Sequence, residues 1–371
     1  MMSGRWFFFA GGGTGGHIYP AIAVAEQIVK IEPAARIRFF CSTRNIDAQI
    51  LQQVGFEYTQ LPAKGFSVRP GKLIGFCISF LQSYRIAKKV IAASKNVIVI
   101  GVGGYVAAPA CRAAYKLKVP VVLLNVDIVP GRANKTIARW ANKIFVQFAE
   151  TQQYFAHSGV KINVVGCPLR SGFENPKPDK AMKELGLDEN KKTLLITGAS
   201  SGSENINDAV CSMLKKLDSF ANDWQIVHLT GHRNYEKVKQ AYAGAKIRYK
   251  VLGYYDDMPN LLAAADLVIG RSGAVSVAEY AAAVVPSICM PYPYHKDRHQ
   301  YLNAGKLVEA GAAIIVDDLP DATDRAEWLW EELEELMKNE KRRREMAKAC
   351  QAIVRLDASY KIAEKLTKIS F

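Results

Sequence analysis

The stretch WFFFAGGGTGGH, residues 6–17, decides the fold class. Its first half, Trp6–Ala10, is an apolar run of strand-forming residues. Its second half is a run of glycines that ends at His17. From residue 18 to residue 30 apolar residues recur with helical spacing. A strand, a glycine turn and a helix in this order predict the first unit of a sheet whose turn holds a phosphate.

The rest of the chain repeats this alternation. In the first half it predicts further strands at 37–41, 96–100, 119–124 and 143–148, and helices at 47–54, 107–117 and 135–141. A linker-like stretch rich in Pro, Lys and Asn follows at 171–180. The alternation then restarts, with strands at 193–197, 225–229, 248–252, 267–269, 287–290 and 313–316 and helices at 205–217, 234–242, 258–265, 275–283 and 299–310. Because such alternation forms parallel sheets covered on both faces, we predict an α/β protein with two doubly wound, Rossmann-like domains facing a central cleft.

Composition is that of an ordinary globular protein. The chain has 371 residues and 41.0 kDa, with 49% hydrophobic and 23% charged residues, enough for two buried cores. No apolar run reaches the ~18–20 residues that span a bilayer. The seven cysteines form no CxxC pair, so we expect neither a metal cluster nor a disulfide framework, and a reducing, cytoplasmic setting.

The excess positive charge lies in the first half of the chain. Residues 1–168 contain 20 Lys and Arg but six Asp and Glu, whereas residues 169–371 contain 29 of each, and the formal net charge is +14. This asymmetry predicts an anionic partner for one domain: nucleic acid, an anionic membrane surface or a phosphorylated substrate. A basic but merely solvated face is the alternative. No nucleic-acid docking motif or stacking platform is evident, so nucleic acid is the weakest of the three.

Two further glycine turns follow predicted strands, at Gly101-Val102-Gly103-Gly104-Tyr105 and Gly198-Ala199-Ser200-Ser201-Gly202. Small hydroxyl residues beside free backbone amides in the latter suit a diphosphate. Close helix–strand packing explains the former equally well. Since all three turns follow the carboxyl ends of strands, we expect them to line one crevice.

The end of the second strand disfavours a dehydrogenase. A dinucleotide site has an acid there, but the sequence continues Ser42-Thr43-Arg44, which leaves only a 2′-phosphorylated dinucleotide possible. In the second half, Ser276 and Glu279 share a face of one predicted helix. A carboxylate there can accept two ribose hydroxyls, with helix capping as the alternative. The segment PYPYHKDRHQYLNA, residues 291–304, is rich in side chains that hydrogen-bond sugars.

Five motifs resemble, in order, those of the MurG family, the bacterial lipid-linked N-acetylglucosaminyltransferases within glycosyltransferase family 28. They are GGGTGGHxxPA at 11–21, GGY at 103–105, GCPLR at 166–170, RSGAxxxxE at 271–279 and HQxxNA at 299–304. The resemblance spans about residues 6–316. It implies a GT-B fold with an acceptor- and membrane-binding domain at 1–168, a UDP-sugar domain at 169–351, and a final helix at about 352–371 that returns to the first domain.

The resemblance also implies a reaction and its site. The reaction is inverting transfer of N-acetylglucosamine from UDP-N-acetylglucosamine to the 4-hydroxyl of an undecaprenyl-pyrophosphate-linked N-acetylmuramyl pentapeptide, at the cytoplasmic face of the cell membrane, without a cofactor or bound metal. The implied donor-binding residues are Arg170, Ser200, Asn207, Ser272, Gly273, Ala274, Val275, Glu279, His299 and Gln300. The implied acceptor-binding residues are Thr14, Gly15, Gly16, His17, Gly103, Gly104 and Tyr105, with His17 a candidate base for the attacking hydroxyl.

Two segments depart from the family pattern. The family's His-Glu-Gln-Asn reads Leu124-Asn125-Val126-Asp127 here, and its GGSxGA turn reads GASSGS at 198–203. Asp127 is an alternative candidate for the catalytic base. The altered segment also leaves open a transferase with a different lipid or glycan acceptor. A non-catalytic lipid- or partner-binding relative is a second alternative, which the intact Glu279, His299 and His17 disfavour.

An interfacial membrane segment follows from the residues without the resemblance. Its apolar members are Leu73, Ile74, Phe76, Ile78, Phe80, Leu81 and Tyr84, flanked by Lys64, Arg69 and Lys72 on one side and by Arg85, Lys88 and Lys89 on the other. An apolar patch between basic flanks is typical of a helix that lies on a bilayer, and each nearby Lys or Arg contributes ~1 kcal/mol toward anionic lipid. A core helix is the alternative.

Overall fold

The computed structural model describes residues 4–13, 15–66 and 69–370 and divides the chain into two compact units. Unit 1 comprises Met1–Arg170 and Asp357–Phe371, and unit 2 comprises Ser171–Leu356. The boundaries expected at 168 and 351 therefore lie a few residues further along the chain. Within unit 1 the Ser359 hydroxyl donates to the Leu169 carbonyl at 3.1 Å, which ties the end of the first segment to the last helix.

Unit 1 contains a seven-stranded parallel sheet in the order β3-β2-β1-β4-β5-β6-β7. The strands are β1 (Trp6–Gly11), β2 (Arg36–Ser42), β3 (Glu57–Leu61), β4 (Val97–Gly103), β5 (Val121–Asn125), β6 (Lys143–Val146) and β7 (Ile162–Val164). The helices between them are α1 (Gly15–Ile31), α2 (Asn45–Gln53), α3 (Pro70–Ala92), α4 (Ala107–Lys116) and α5 (Arg132–Ile137), with a 3-10 segment at Ala149–Ser158. The strand order reverses between β1 and β4, which makes this the switch point of the sheet.

Unit 2 contains a six-stranded parallel sheet in the order β10-β9-β8-β11-β12-β13. The strands are β8 (Lys192–Thr197), β9 (Trp224–Leu229), β10 (Arg248–Leu252), β11 (Leu267–Gly270), β12 (Ser287–Cys289) and β13 (Ala313–Ile315). The helices are α6 (Pro178–Leu185), α7 (Glu204–Ser212), α8 (Leu214–Leu217), α9 (Tyr235–Ala241), α10 (Met258–Ala263), α11 (Ala274–Ala282), α12 (His299–Glu309), α13 (Ala322–Lys338) and α14 (Glu340–Ile353). Here the order reverses between β8 and β11.

Alternate side chains of β1 pack into two separate apolar layers. Phe7 and Phe9 join the layer that contains α1, whereas Phe8 joins the layer that contains α4. This follows from the period of two along a strand, and burial on both faces explains the uninterrupted apolar run. The last helix, α15 (Ala358–Thr367), packs on α1 and adds Ile362 and Leu366 to the first layer.

Several elements differ from their predicted form. The short edge strand β3 was not predicted, because its sequence EYTQL is half polar and only Leu61 is buried. The expected linker ends in helix α6, which has a proline in its first turn and Gly186 after its end in the left-handed conformation. The helix predicted at 205–217 is broken at Met213. The final helix begins at Ala358, not near residue 352.

Within the part of the chain that the structure describes, no helix is both long and apolar enough to cross a membrane. All seven cysteines are free thiols.

Candidate functional site

Each switch point is flanked by two glycine turns. In unit 1 they follow β1 and β4, and in unit 2 they follow β8 and β11. We name them the β1 turn (residues 11–16), the β4 turn (103–105), the β8 turn (198–203) and the β11 turn (270–273). At a switch point adjacent strands send their connections to opposite faces of the sheet, which leaves a crevice where ligands bind.

The connection between β2 and α2 holds the β1 turn. The Gly13 N–H donates to Asp47 Oδ2 at 2.9 Å, and Arg44 Nη1 donates to the Gly13 carbonyl at 2.5 Å. The same Asp47 oxygen accepts from the N–H and the hydroxyl of Ser42, at 3.0 and 2.6 Å. We call Ser42, Arg44 and Asp47 the β2–α2 clamp. Gly12 has φ +151°, and a Cβ there would lie 2.4 Å from Asp47 Oδ2, so the clamp requires glycine at this position.

The β4 turn packs directly on the β1 turn. A Cβ on Gly104 would lie 2.7 Å from the Gly12 carbonyl oxygen, and a Cβ on Gly103 would lie 2.5 Å from His17 Cδ2. A Cβ on Gly13 would in turn lie 3.2 Å from the Tyr105 ring. The structure thus brings together Gly103, Gly104, Tyr105 and His17, and close backbone packing accounts for the glycines of the β4 turn. Gly15 and Gly16 begin α1, while Thr14 lies outside the described residues.

His17 stands in the first turn of α1, half-buried against Gly103. Burial lowers the pKa of His17 below its ordinary value of 6.5, although the carboxylates of Asp127 and Asp47 act in the opposite direction. The imidazole is therefore neutral at pH 7. A neutral imidazole can take up a proton, as a general base must.

Asn125 orders the segment that carries Asp127. Its Nδ2 donates to the Asp127 carbonyl at 2.6 Å, and its Oδ1 accepts from Asn134 Nδ2 at 2.8 Å. Asn134 is buried in α5, and its Nδ2 would lie 3.5 Å from a Cβ on Gly103. The Asp127 side chain is half-buried and acts electrostatically on His17. The segment that departs from the family pattern thus adjoins the His17 environment.

Arg170 belongs to unit 1, at the boundary between the units. Its guanidinium lies over the Tyr19 ring of α1, 4.4 Å from the centroid, which is a cation–π arrangement. The sequence grouped Arg170 with the donor residues of the second domain, whereas the structure places it beside α1.

In unit 2 the β8 turn lies against the residues that follow β9. Gly202 has φ +72°, and a Cβ there would lie 2.2 Å from the Thr230 carbonyl oxygen. Ser203 caps helix α7, its Oγ accepting from the Ile206 N–H. Ser200 is exposed in a short 3-10 turn at Ala199–Ser201. The Ser200 side chain is therefore accessible to a ligand.

Asn207 supports this turn as the last of three side chains joined by hydrogen bonds. Tyr242 Oη lies 3.0 Å from His228 Nδ1, and His228 Nε2 lies 3.0 Å from Asn207 Oδ1. Asn207 Nδ2 donates to the Thr230 carbonyl at 3.0 Å, the oxygen on which Gly202 packs. Burial lowers the pKa of His228 to about 3, so the ring is neutral. Both polar atoms of the Asn207 amide thus have partners inside unit 2.

Arg271 joins the β11 turn to three other segments. Its Nη2 donates to Ser203 Oγ at 2.7 Å and to Asp318 Oδ2 at 2.8 Å, and its Nη1 donates to the Met290 carbonyl at 2.8 Å. Asp318 is buried and also accepts from Asn205 Nδ2 at 2.8 Å. The Arg271 guanidinium, which the family motif contains, therefore fixes the β8 turn and the end of β12 relative to β11.

The start of α11 is suited to an anion. The Ser272 hydroxyl is buried and has no hydrogen-bond partner among the described residues. Gly273 is the N-cap residue without a side-chain cap, and nothing lies within 4 Å of a Cβ built there. The N–H groups of Ala274 and Val275 stand in the first helical turn, where the helix itself supplies no acceptor. Glu279 lies further along the same helix and is half-buried.

His299 and Gln300 begin α12. His299 Nδ1 lies 2.7 Å from Asp297 Oδ1, and the His299 ring stacks on His295 with centroids 4.4 Å apart. Partial burial is the largest single effect and raises the pKa of Asp297. The hydrogen bonds with His299 and the charges of His299 and His295 together outweigh it, so the pKa is lower than usual. Gln300 Oε1 accepts from the Tyr292 N–H at 2.9 Å. These contacts orient both side chains predicted to bind the sugar.

Helix α3 has its apolar side outward. Its buried residues are Ser79, Ser83, Ala87 and Ile91. Leu73, Ile74, Ile78 and Leu81 are 38, 63, 53 and 47% exposed, and Phe76, Phe80 and Tyr84 are half-buried. Further along, Arg85, Lys88 and Lys89 are exposed. The first half of α3 therefore differs from a core helix, which buries its large apolar residues, whereas Ala87 and Ile91 near its end belong to the core.

Sequence reasoning missed the residues that hold these turns in place. Asp47 and Arg44 of the clamp, His228 and Asp318 were not proposed as functional. The one available signal was that Asp47 is among six acids in the basic half. In the described ranges 4–13, 15–66 and 69–370, no group of three or more His, Cys, Asp and Glu side chains could hold a metal ion.

Two parallel, doubly wound units with glycine turns at both switch points define a GT-B enzyme of the nucleotide-sugar-dependent class. Family models agree: the glycosyltransferase family 28 N-terminal domain matches residues 7–146, and the family's C-terminal domain matches residues 193–366. The chain belongs to glycosyltransferase family 28.

Individual relatives cover nearly the whole chain. A UDP-N-acetylglucosamine--N-acetylmuramyl-(pentapeptide) pyrophosphoryl-undecaprenol N-acetylglucosamine transferase from Desulfitobacterium hafniense is 34% identical over 95% of this chain and 96% of its own. One of the same name from Caldanaerobacter subterraneus is 32% identical over 98% and 100%. The crystal structure of MurG from Acinetobacter baumannii has a TM-score of 0.75 and 25% identity, covering 99% of this chain and all of that one. A UDP-GlcNAc 2-epimerase from Neisseria meningitidis, bound to UDP-GlcNAc, has a TM-score of 0.71 at 14% identity and shares the fold.

Proposed function

We propose that the chain transfers N-acetylglucosamine from UDP-N-acetylglucosamine, with inversion, to the 4-hydroxyl of an undecaprenyl-pyrophosphate-linked N-acetylmuramyl pentapeptide. This reaction builds the lipid-linked disaccharide of peptidoglycan. The observation that carries the proposal is the similarity, over nearly the full length of both chains, to relatives that bear this activity in their names. The glycine turns at both switch points support it, because donor and acceptor each contain two linked phosphates.

The donor is assigned to unit 2. The UDP diphosphate lies against Ser200 and against the start of α11, where the helix dipole favours negative charge. The buried Ser272 hydroxyl supplies a donor for one phosphate oxygen. The Glu279 carboxylate accepts hydrogen bonds from the ribose hydroxyls, and His299 and Gln300 bind the N-acetylglucosamine. Asn207 supports the β8 turn through its hydrogen bond to the Thr230 carbonyl.

The acceptor is assigned to unit 1. Its pyrophosphate lies at the amino end of α1, against Thr14, Gly15 and Gly16, with Gly103, Gly104 and Tyr105 forming the neighbouring wall. The excess positive charge of residues 1–168 favours this anionic substrate. The β2–α2 clamp also disfavours the dinucleotide alternative, since Arg44 is engaged by the Gly13 carbonyl and the Asp47 carboxylate fills the space beside Gly12.

In the proposed mechanism His17 is the general base. Its neutral ring removes the proton from the 4-hydroxyl while that oxygen attacks the anomeric carbon of N-acetylglucosamine. The bond from that carbon to the UDP oxygen breaks on the opposite face, so the configuration inverts. The electron pair leaves with UDP, whose charge is stabilised by the amides at the start of α11. The Asp127 carboxylate stabilises the imidazolium that forms.

The outward apolar side of α3 is proposed to rest on the membrane that holds the acceptor. The exposure of Ile74 and Ile78 and the exposed bases Lys88 and Lys89 support this placement, since apolar contact combines with attraction to anionic lipid. Leu73, Phe76, Phe80, Leu81 and Tyr84 complete the contact. The protein is then a peripheral protein of the cytoplasmic face of the cell membrane.

UDP release tests the proposed function. The purified protein is incubated with UDP-N-acetylglucosamine and either the lipid-linked muramyl pentapeptide or other polyprenyl-pyrophosphate glycan acceptors. We expect release only when the muramyl acceptor is present. Release with another acceptor alone selects the transferase of different specificity that the 124–127 segment suggests. No release together with no UDP binding selects the non-catalytic relative.

A further inference from the structure

The β2–α2 clamp places a fully buried carboxylate under the β1 turn. Asp47 has no exposed surface, and one of its oxygens, Oδ2, accepts three hydrogen bonds, from the Gly13 N–H, the Ser42 N–H and the Ser42 hydroxyl. No hydrogen-bond donor among the described residues reaches the other oxygen, Oδ1. The carboxylate also occupies the space where a Gly12 side chain would stand.

The local structure suits a negative charge at this position. Asp47 lies in the first turn of α2, at the positive end of the helix dipole, and hydrogen bonds to an ionised acceptor are stronger than those between neutral groups. Arg44 holds the Gly13 carbonyl from the same connection. Both polar backbone atoms of Gly13 are therefore fixed by charged side chains, three residues apart in the sequence.

We propose that Asp47 is a positioning residue for the acceptor side of the site: it fixes the β1 turn through the Gly13 amide and places a buried negative charge close to the His17 imidazole. The catalytic consequence rests on the proposed function, in which His17 is the base. In this proposal Asp47 contacts neither the reacting atoms nor the proton that His17 takes up. It acts through the position of the β1 turn and through its charge.

The charged groups around His17 come from two connections. Asp47 and Arg44 belong to the β2–α2 connection, where Arg44 binds the Gly13 carbonyl, and Asp127 follows β5. Burial lowers the pKa of His17, whereas these carboxylates raise it. Removing one carboxylate therefore disfavours the imidazolium form.

Two substitutions separate the role of the hydrogen bonds from that of the charge. Asp47→Asn can place its amide oxygen at the Oδ2 position and its NH2 at the Oδ1 position, which no donor faces. It therefore keeps the three hydrogen-bond partners in a weaker, uncharged form and loses the charge. Asp47→Ala loses both. Glu57→Gln is the matched control, because it removes an exposed carboxylate from β3 of the same unit.

Backbone amide hydrogen exchange measures the hydrogen bonds, and NMR titration of the histidine rings, assigned with His17→Gln, measures the charge. We expect Asp47→Ala to speed exchange at Gly13 and Ser42 by about tenfold or more. We expect a smaller increase in Asp47→Asn, whose uncharged oxygen accepts the same hydrogen bonds more weakly. We expect Asp47→Asn to lower the pKa of His17, and Glu57→Gln to change neither quantity. Wild-type exchange in Asp47→Ala would overturn the positioning role, and an unchanged His17 titration in Asp47→Asn would overturn the charge effect.

Neither measurement needs substrate, so failure here is distinct from failure of the proposed function. If the wild-type protein transfers N-acetylglucosamine, we further expect Asp47→Asn to move the acidic limb of kcat/KM to lower pH by the same amount as the His17 titration. A loss of stability alone would not move that limb.

Discussion

His17 is neutral at pH 7 in spite of its acidic neighbours because burial outweighs the two carboxylates. A base in this state is ready to accept a proton, and Asp127 then stabilises the charge that appears on the ring. Where the family has asparagine, this chain has an acid, held in place by Asn125. In the proposed mechanism Asp127 therefore strengthens the base instead of replacing it.

Substitution at the two positions tests this division of roles. We expect His17→Ala to lower kcat by about 10²- to 10⁴-fold, the usual contribution of a general base. Asp127→Asn should lower kcat by about tenfold, since the imidazolium loses a stabilising charge, and should move the acidic limb of kcat/KM to lower pH. Steady-state kinetics from pH 5 to pH 9 measures both. Near-normal turnover by Asp127→Asn beside an inactive His17→Ala would remove Asp127 from the mechanism.

In the first half of helix α3 large apolar residues face outward and polar residues are buried. Ser79 and Ser83 are buried while Ile74 and Ile78 are exposed, so the apolar side is available for a bilayer. The exposed basic side chains Arg85, Lys88 and Lys89 lie on the same helix. This arrangement predicts binding that depends on apolar contact and on salt.

We expect Ile78→Glu and the double change Lys88→Glu with Lys89→Glu each to weaken binding to vesicles that contain phosphatidylglycerol by about tenfold or more. Flotation or sedimentation of the vesicles measures the bound fraction. Val308→Glu, at an exposed apolar position of unit 2, is the control and should bind normally. If neither α3 variant nor added salt changed vesicle binding, α3 would not be the membrane-binding segment.

The buried His228, which supports the β8 turn through Asn207, should make the stability of unit 2 depend on pH. The pKa of His228 is about 3 in the folded protein against an ordinary value of 6.5, so below pH 6.5 the unfolded chain takes up a proton that the folded protein does not. The free energy of unfolding should therefore fall by about 1.4 kcal/mol per pH unit as the pH drops below 6.5. The fall should end when the pH nears 3, the pKa of His228 in the folded protein. Urea unfolding at pH 7.5 and 5.5 measures this fall, and His228→Gln should show a smaller one. An equal fall in both proteins would contradict the buried neutral ring.

The buried strands and the glycine turns were predictable because their signals are local. An apolar run such as Trp6–Ala10 followed by glycines indicates a strand and a turn without reference to the rest of the chain. The polar edge strand β3 and helix α6 were not predictable in this way, because each is stabilised by residues distant in the sequence. The same holds for the partners of the turns: Asp47 holds Gly13 across 34 residues and Asp318 holds Arg271 across 47, pairings that no local pattern encodes.

At the scale of the whole molecule, the net charge of +14 belongs to the half of the chain before residue 169. The second half is neutral and relies on local groups, such as the α11 amides and the buried Ser272, for its anion. This contrast supports an acceptor of unit 1 that is anionic and lies in an anionic membrane. It also predicts that variants of the two units have separable effects.

Donor binding measures that separation. We expect His17→Ala to bind UDP as the wild type does, because His17 belongs to unit 1. Glu279→Gln should weaken UDP binding by about tenfold or more, the effect of weakening hydrogen bonds to a charged acceptor. Isothermal titration calorimetry with UDP measures both. Equal loss in the two variants would contradict the assignment of the donor to unit 2.

Transfer of labelled sugar tests the central claim most directly. The protein is incubated with UDP-N-acetylglucosamine radiolabelled in the sugar and with the undecaprenyl-pyrophosphate-linked muramyl pentapeptide, and the lipid product is extracted. We predict that the label enters the lipid at one N-acetylglucosamine per acceptor, with His17→Ala as the inactive control. Label that stays in the aqueous phase, as intact donor or as free sugar, would contradict the account.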